Sequence, residues 1–519
     1  MNIPDVLKLS FIAIVVSLIY SNTFHTPFVL DDIENIERNR NIRLTRLTPS
    51  DLRAAGFDSQ SSNRPVANIS FALNYYVHGY DLPGYHLVNL VIHVLAGVFL
   101  YFFAKSTFRI LDSQGSTVSP GRPLWGTKLS VSSIAFLAAV IWLVHPVQTQ
   151  SVTYIVQRMN SMAAMFYILS MWLYVKGRLV KGGKKRWPWF AGCGLSGILA
   201  LGSKEIAATL PLFIVLYEWY FFQGLSKAWL KRHLLYILGA LLVFALLAAV
   251  YVGGDPLTAI LSRYGGRDFT LGQRVLTEFR VVAFYMSLLI FPYPGRLNLD
   301  HDFSTSLSLI DPATTLLSML LIGGLIGLAI SLAKRERLLS FCILWFFGHL
   351  AIESSVIPLE LVFEHRMYLP SMLVSLCIVG LLNRYIRSRR ALLTTISLII
   401  AVFCLWTYQR NTVWANRITL WQDCVKKYND NARGHVNLGN AFKVEGRLDS
   451  AIKHYLKAIR IEPGLAQAHY NLGIAYGMKG MYNLAYKEIS IAKRLTQGKW
   501  EKWFQKGTKP QMKPFPGHP

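Results

Sequence analysis

Residues 7–41 read LKLSFIAIVVSLIYSNTFHTPFVLDDIENIERNRN, and where this stretch divides decides the fold class. Leu7 to Tyr20 is an apolar run, whereas Phe28 to Asn41 is dense in Asp, Glu and Arg. The first part reads as a membrane helix. The second reads as a loop starting just past the membrane boundary, where the adjacent carboxylates Asp31 and Asp32 can ionise without entering hydrocarbon. A plainer local role also fits the pair: Asp is a favoured N-cap, and Glu34 and Glu37 suit the first turn of a helix over 33–39. TFHTPF follows the apolar run in place of a small-residue cleavage pattern, so the run is read as a retained helix.

The rest of the chain extends this pattern. Of 519 residues, 53% are hydrophobic and 16% charged, with a mean hydropathy of +0.34, which is outside the soluble balance. Apolar runs at about 7–23, 86–104, 129–145, 160–176, 188–202, 206–223, 234–252, 313–333, 338–357, 367–383 and 391–408 predict about eleven transmembrane helices, an all-α polytopic bundle over 1–408. The net charge of +26 comes from 54 basic and 28 acidic residues. Its location argues against a nucleic-acid partner, because the basic residues gather in short segments beside apolar runs: Lys105 to Lys128, Lys176 to Arg186, Lys227 to Arg232, Lys334 to Arg337 and Arg384 to Arg390. The positive-inside rule makes these five loops cytoplasmic. With the N-terminus inside, the first loop (24–85), the other alternate loops and the C-terminal part fall on the opposite face.

Residues 275–292 resist this count. Glu278 and Arg280 interrupt the run, Pro292 and Pro294 close it, and a crossing there would place the basic segments 334–337 and 384–390 outside. An interfacial or re-entrant segment is expected. The five cysteines show no CxxC or zinc spacing.

Past 408 the composition changes and a repeat appears. Asn437-Leu438-Gly439 recurs as Asn471-Leu472-Gly473, Gly446 as Gly480 and Ala451 as Ala485, each 34 residues on. That period predicts tetratricopeptide helix pairs over 429–497, with small residues where helices touch. Residues 409–428 are read as a linker with a capping helix, and 498–519 as a basic, Pro-rich tail.

Unusual polar groups collect on the outer face. The first loop supplies Asp31, Asp32, Glu37 and Arg64. The segment after the third helix supplies His145, Gln148, Gln150, Arg158 and Asn160, and the next outer turn supplies Lys204-Glu205, which also reads as a local ion pair. Further on come Asp300-His301-Asp302 and then Glu364-His365-Arg366 with Tyr368. Asp300 to Asp302 have ligand types suited to a divalent cation, although three consecutive side chains do not converge on one ion. His349 and Glu353, four apart in an apolar run, are expected on one helix face, turned to the bundle or a wet cavity. His86 and His93 read as interhelical hydrogen-bond partners.

Taken in order, FVLDDIENIERNRNI, RPVANISFALNYYVHGYDLPGYHLVNLVIH, HPVQTQSVTYIVQRMNSMAAMF, SKEIAATLPLFIVLYE, LDHD, EHRMYLPS and NLGNAF resemble the transmembrane and tetratricopeptide-repeat O-mannosyltransferases and their bacterial relatives, within the GT-C glycosyltransferases. The resemblance runs from about residue 20 to about 495 and rests on motif order, since each motif is short. It implies a polyprenyl-phosphate sugar donor, inverting transfer on the outer face, Asp31 or Asp32 at the reacting centre and Arg366 on the donor phosphate. At HPVQTQ, where relatives often read HPVHTE, Gln148 and Gln150 cannot transfer protons or act as anionic ligands.

The residues support the same chemistry independently. A hydroxyl acceptor must lose its proton as it attacks, which a carboxylate can accept, with a lean toward Asp32. The departing lipid phosphate needs positive charge, which Arg366, Arg158 or Lys204 can supply. The partners expected are the bilayer, a lipid-linked sugar donor and an acceptor protein on the repeats. Two other classes fit the sequence less well: a non-catalytic repeat scaffold, which needs one anchor helix rather than about eleven, and a lipid-sugar transporter, whose inverted repeats are not seen.

Overall fold

The computed structural model describes residues 4–113, 128–252 and 256–496; Arg122 and the tail expected at 498–519 lie outside them. All regular elements among the described residues are helical. The chain forms two compact units, Met1–Leu297 with Phe303–Thr412, and Asn298–Asp302 with Val413 onward.

In the first unit, α1 (Asp5–Ile19) is followed by a loop bearing α2 (Pro49–Phe57) and α3 (Pro65–His78), then by α4 (Leu82–Ser113). Next, α5 (Val131–Leu143) stops at His145-Pro146, bends by 52° and resumes into the short α6 (Thr149–Thr153). There follow α7 (Arg158–Leu179), α8 (Trp187–Leu201), α9 (Leu210–Tyr217), α10 (Lys227–Val252), α11 (Pro256–Ser262), α12 (Leu271–Ile290), α13 (Thr314–Leu332), α14 (Arg337–Leu350), α15 (Met372–Tyr385) and α16 (Arg389–Thr412). The apolar runs of the sequence coincide largely with helix, because a segment in lipid must satisfy its backbone internally; the run 338–357 is the exception, since α14 ends at Leu350.

The runs are not all continuous spans. Among the described residues, five helical stretches are long and apolar enough to cross a membrane, or six if the bent pair is one span; Trp187–Leu201, Arg337–Leu350 and Met372–Tyr385 are apolar but shorter. These make the chain a multi-pass membrane protein. Close helix approach depends on small residues: a Cβ on Gly97 would lie 2.5 Å from Leu143, and one on Gly348 would lie 2.6 Å from Phe213. The segment expected to be interfacial or re-entrant is the continuous α12, opened by a Thr270–Gln273 capping box. Its Arg274 and Glu278 sit one turn apart and pair at 2.8 Å, both buried.

At breaks in the apolar helices, buried side chains donate to backbone carbonyls. His93 Nε2 donates to Leu143 O (3.0 Å) and Thr407 Oγ1 to Val144 O (2.7 Å). Asn89 Nδ2 donates to Val152 O (3.1 Å) and Ile155 O (3.3 Å), and Asn411 Nδ2 to Ile19 O (3.0 Å). An unpaired carbonyl at membrane depth would cost several kcal/mol, so these donors make the broken path tenable.

The second unit opens with α17 (Arg417–Lys427), within the stretch read as a capping helix. Two helix pairs follow, α18 (Ala432–Val444) with α19 (Leu448–Ile461) and α20 (Ala466–Met478) with α21 (Tyr482–Leu495). The recurring glycine of Asn-Leu-Gly is explained by packing: a Cβ on Gly439 would lie 2.5 Å from the Tyr455 ring, and one on Gly473 would lie 2.7 Å from Ile489. Gly446 and Gly480 turn each pair with φ of +74° and +78°, a conformation L side chains rarely adopt.

Candidate active site

The paired carboxylates differ sharply in setting. Asp32 is fully buried; its Oδ1 accepts from Val156 N at 2.6 Å and its Oδ2 from Val29 N at 2.9 Å. Burial pushes its carboxyl well above 3.8, the two N–H donors pull it down, and the charges of Asp31 and Glu37 push it up again. Asp31 is exposed. Its N–H donates to the Tyr154 hydroxyl at 2.9 Å, and its carbonyl accepts from Asn35 Nδ2 at 2.9 Å. Leu30, just before, has a φ of +44°, and Ile33–Glu37, which holds the half-buried Glu37, forms a single π-turn in place of the helix expected there.

A second cluster gathers cations around one loop. Lys204 Nζ pairs with Glu353 at 2.8 Å and donates to Asn160 Oδ1 at 3.0 Å. Asn160 Nδ2 donates in turn to His365 O (2.8 Å), and Gln150 Oε1 accepts from His365 N (2.8 Å). Arg366 is buried, with its guanidinium donating to Leu361 O (2.8 Å) and Glu360 O (2.6 Å). From α12, Arg274 staples the same loop through Ser355 O, Leu359 O and Glu353 O. Burial, then the charges of Lys204, Arg366 and Arg64, hold His365 well below its ordinary value, so three cations act on one point. Burial also lowers Lys204, and Glu353 resists that shift.

One segment, residues 145–160, joins the two groups: Tyr154 and Val156 hold the Asp31–Asp32 turn, while Gln150 and Asn160 hold Lys204 and His365. A polar chain on the first loop makes a second link. Asn35 accepts from Ser61 at 2.7 Å, and Asn63 donates to Glu205, which also pairs with Arg64 at 3.0 Å. Lys204 and Glu205 therefore find separate partners and are not a local ion pair.

Other sequence candidates sit in packing roles. Arg158 is wholly buried, with Nε on Asn89 Oδ1 (2.7 Å), Nη1 on Ser70 O (3.2 Å) and Nη2 on Tyr85 O (2.9 Å). His145 donates from Nε2 to Leu289 O (3.1 Å), and Tyr368 bonds His93 Nδ1 (2.8 Å). Glu364 is buried beside His365. His349 and Glu353 do not share a helix face, because α14 ends at Leu350. His349 donates from Nδ1 to Trp345 O (2.7 Å) and stacks on Phe213 at 4.2 Å, while Glu353 lies in the turn beyond. Asp300 and Asp302 belong to the second unit, where Asp300 accepts from Asn431 at 3.2 Å. Among the described residues, no three His, Cys, Asp or Glu side chains are grouped to hold a metal ion. Tyr154, Asn35 and Arg274 were not singled out by the sequence, where only the place of Tyr154 inside HPVQTQSVTYIVQRMN pointed to it.

A polytopic helical unit with buried charges at helix breaks, followed by tetratricopeptide repeats, is thus the class of protein present. A family model described as TPR repeat matches residues 439–480. Among curated proteins, the chain is similar to the protein O-mannosyl-transferase Tmtc3 of Drosophila melanogaster (25% identity over 89% of this chain and 56% of that protein). It is also similar to the protein O-mannosyl-transferase F38B6.6 of Caenorhabditis elegans (26% over 86% and 62%) and to TMTC3 of Mus musculus (24% over 88% and 51%). The chain spans between about half and three-fifths of the length of these relatives. No solved structure matches.

Proposed function

We propose that this chain is a membrane glycosyltransferase that moves a mannose-like hexose from a polyprenyl-phosphate donor to a protein Ser or Thr hydroxyl, with inversion. The names of its relatives support transfer of mannose to protein. The observation that carries the reading is the pairing, through residues 145–160, of one exposed carboxylate with a buried group of cations.

In this reading Asp31 is the general base: it is exposed, whereas both oxygens of Asp32 are occupied by backbone N–H groups. The acceptor oxygen attacks the anomeric carbon as Asp31 takes its proton, and the carbon–phosphate oxygen bond breaks on the opposite side. A single displacement inverts the centre. Negative charge grows on the lipid phosphate, and Arg366, Lys204 and Arg64 supply the opposing charge. Arg158 is left out of this role because its donors serve carbonyls and Asn89. Basic loops on the other face support a reaction on the non-cytoplasmic side, which for a bacterial chain is the outer surface of the inner membrane. The repeats hold the acceptor polypeptide, raising its effective concentration at the site.

The test is transfer from mannosyl-phosphoryl-polyprenol to a Thr-containing peptide by the purified chain. Asp31→Asn should abolish transfer while donor binding survives, and Lys204→Met should weaken donor binding. Full turnover by Asp31→Asn would refute the reading.

A further inference from the structure

We propose that Tyr154 is a positioning residue that aims the Asp31 carboxylate, as part of a clamp that keeps the turn around Leu30 in a strained conformation. The inference rests on reading Asp31 as the base.

Leu30 is one of two non-glycine residues with positive φ among the described residues. A left-handed leucine is uncommon and costs on the order of 1–3 kcal/mol, so it persists only where neighbouring interactions over-determine the backbone. Here three neighbours, Val29, Asp31 and Asp32, are held. Val29 N–H is taken by Asp32 Oδ2, Asp31 N–H by the Tyr154 hydroxyl, and Asp32 Oδ1 by Val156 N–H. Two of the three attachments come from residues 154–156, more than a hundred positions along the chain.

Tyr154 combines two functions in one oxygen. It accepts from Asp31 N–H, and it lies within reach to donate to the Asp31 carboxylate. Tyr154 as a whole is 3% exposed, and its hydroxyl meets the exposed Asp31. Its backbone is extended, with φ −76° and ψ 109°, at the break between α6 and the next helical turn. That break is fixed by Asn89, whose amide serves Val152 O and Ile155 O and whose oxygen accepts from the fully buried Arg158. Contacts therefore run from Arg158 through Asn89 to the backbone on either side of Tyr154, and from the Tyr154 hydroxyl to Asp31. Donation to the ionised carboxylate favours the form that can accept a proton, and the bond to Asp31 N–H stops the residue from swinging out. Asp32 acts in the same clamp by anchoring the turn from inside.

The experiment measures kcat, KM for mannosyl-phosphoryl-polyprenol and the pH–rate profile of the full chain in nanodiscs. Tyr154→Phe keeps the buried ring and deletes only the hydroxyl. Its kcat should fall roughly tenfold or more, from one lost oriented hydrogen bond. KM for the donor should hold, and the acid limb of the profile should move to higher pH because the carboxylate has lost a donor. Leu30→Val, whose branched side chain tolerates left-handed backbone poorly, should slow kcat at constant KM, and Leu30→Asn should slow it less. A folded Tyr154→Phe protein with wild-type kcat and an unmoved acid limb would overturn the inference. So would a fall in kcat that only matches a fall in the folded fraction. If Tyr154→Phe fails in this way while Asp31→Asn is inactive, the base reading stands without the clamp; full activity of Asp31→Asn removes both.

Discussion

The two units solve the burial of polar groups in opposite ways. The repeat unit follows its 34-residue period, with glycines where helices touch and glycines at the turns, so each element needs little beyond its neighbour. The membrane unit buries Arg158, Arg274, Lys204, Glu353 and Asp32, and spends most of their donors and acceptors on backbone or on each other across long sequence separations. Regularity is local in one unit. In the other, irregular backbone is made tenable by charge, and the candidate site lies where that irregularity is greatest.

Single substitutions can break or sharpen this contrast. The largest expected effect is on chemistry: Asp31→Asn should lower turnover by roughly two to four orders of magnitude, measured as mannosyl transfer, with the repeat unit melting as before. Next is Arg158→Met, which orphans Asn89 Oδ1 and removes the extra donors to Ser70 O and Tyr85 O in the membrane unit. Leaving the buried Asn89 Oδ1 without its donor should cost about 1–3 kcal/mol, read from unfolding in detergent, and Arg158→Lys should rescue little because a single ammonium cannot reach all three acceptors.

In the repeats, Gly439→Leu should cost about 1–3 kcal/mol by overpacking against Tyr455. Limited proteolysis should then open the second unit alone, and a matched fall in membrane-unit stability would break the comparison. Asp32→Asn presents an amide N–H₂ to Val29 or Val156 N–H and should cost a similar amount, about 1–3 kcal/mol. Its pH signature is distinctive. The folded carboxyl lies above its ordinary 3.8, so its contribution to stability is complete below that value and is lost as pH rises through the folded one. The wild type should therefore lose stability over that window, and Asp32→Asn should not. The smallest effect is expected for Gly446→Ala, about 1 kcal/mol from φ of +74°, visible only in the melting of the repeats.

What could be read in advance follows the same division. Most of the apolar sequence coincides with helices, and Asn-Leu-Gly marks the repeats, because hydropathy and short-range packing act over neighbouring residues. The choice between Asp31 and Asp32 was not legible: it depends on Val156 N–H, 124 residues away from Asp32. Arg158 showed its charge in the sequence but not its acceptors, Ser70 O and Tyr85 O, which sit on other helices. Residues 351–357 continue an apolar run in sequence, yet α14 ends at Leu350, and that early end gives His349 an aromatic setting and Glu353 a cation. The Asn63–Glu205 and Arg64–Glu205 pairs join residues that hydropathy assigns to separate loops.

The long reach of Asp32 also sets a schedule for biogenesis. A chain that leaves the ribosome from its N-terminus exposes Asp32 well before Val156 exists, and at about 5–20 residues per second the 124-residue interval lasts roughly 6–25 s. During that interval the carboxylate keeps its water, and the turn at Leu30 has nothing to hold it left-handed. Asn411 comes later still, 392 residues after the Ile19 carbonyl it satisfies. The nascent turn at Asp32 therefore waits, unfinished, until the segment beyond α5 has been made, and the end of α1 waits for α16.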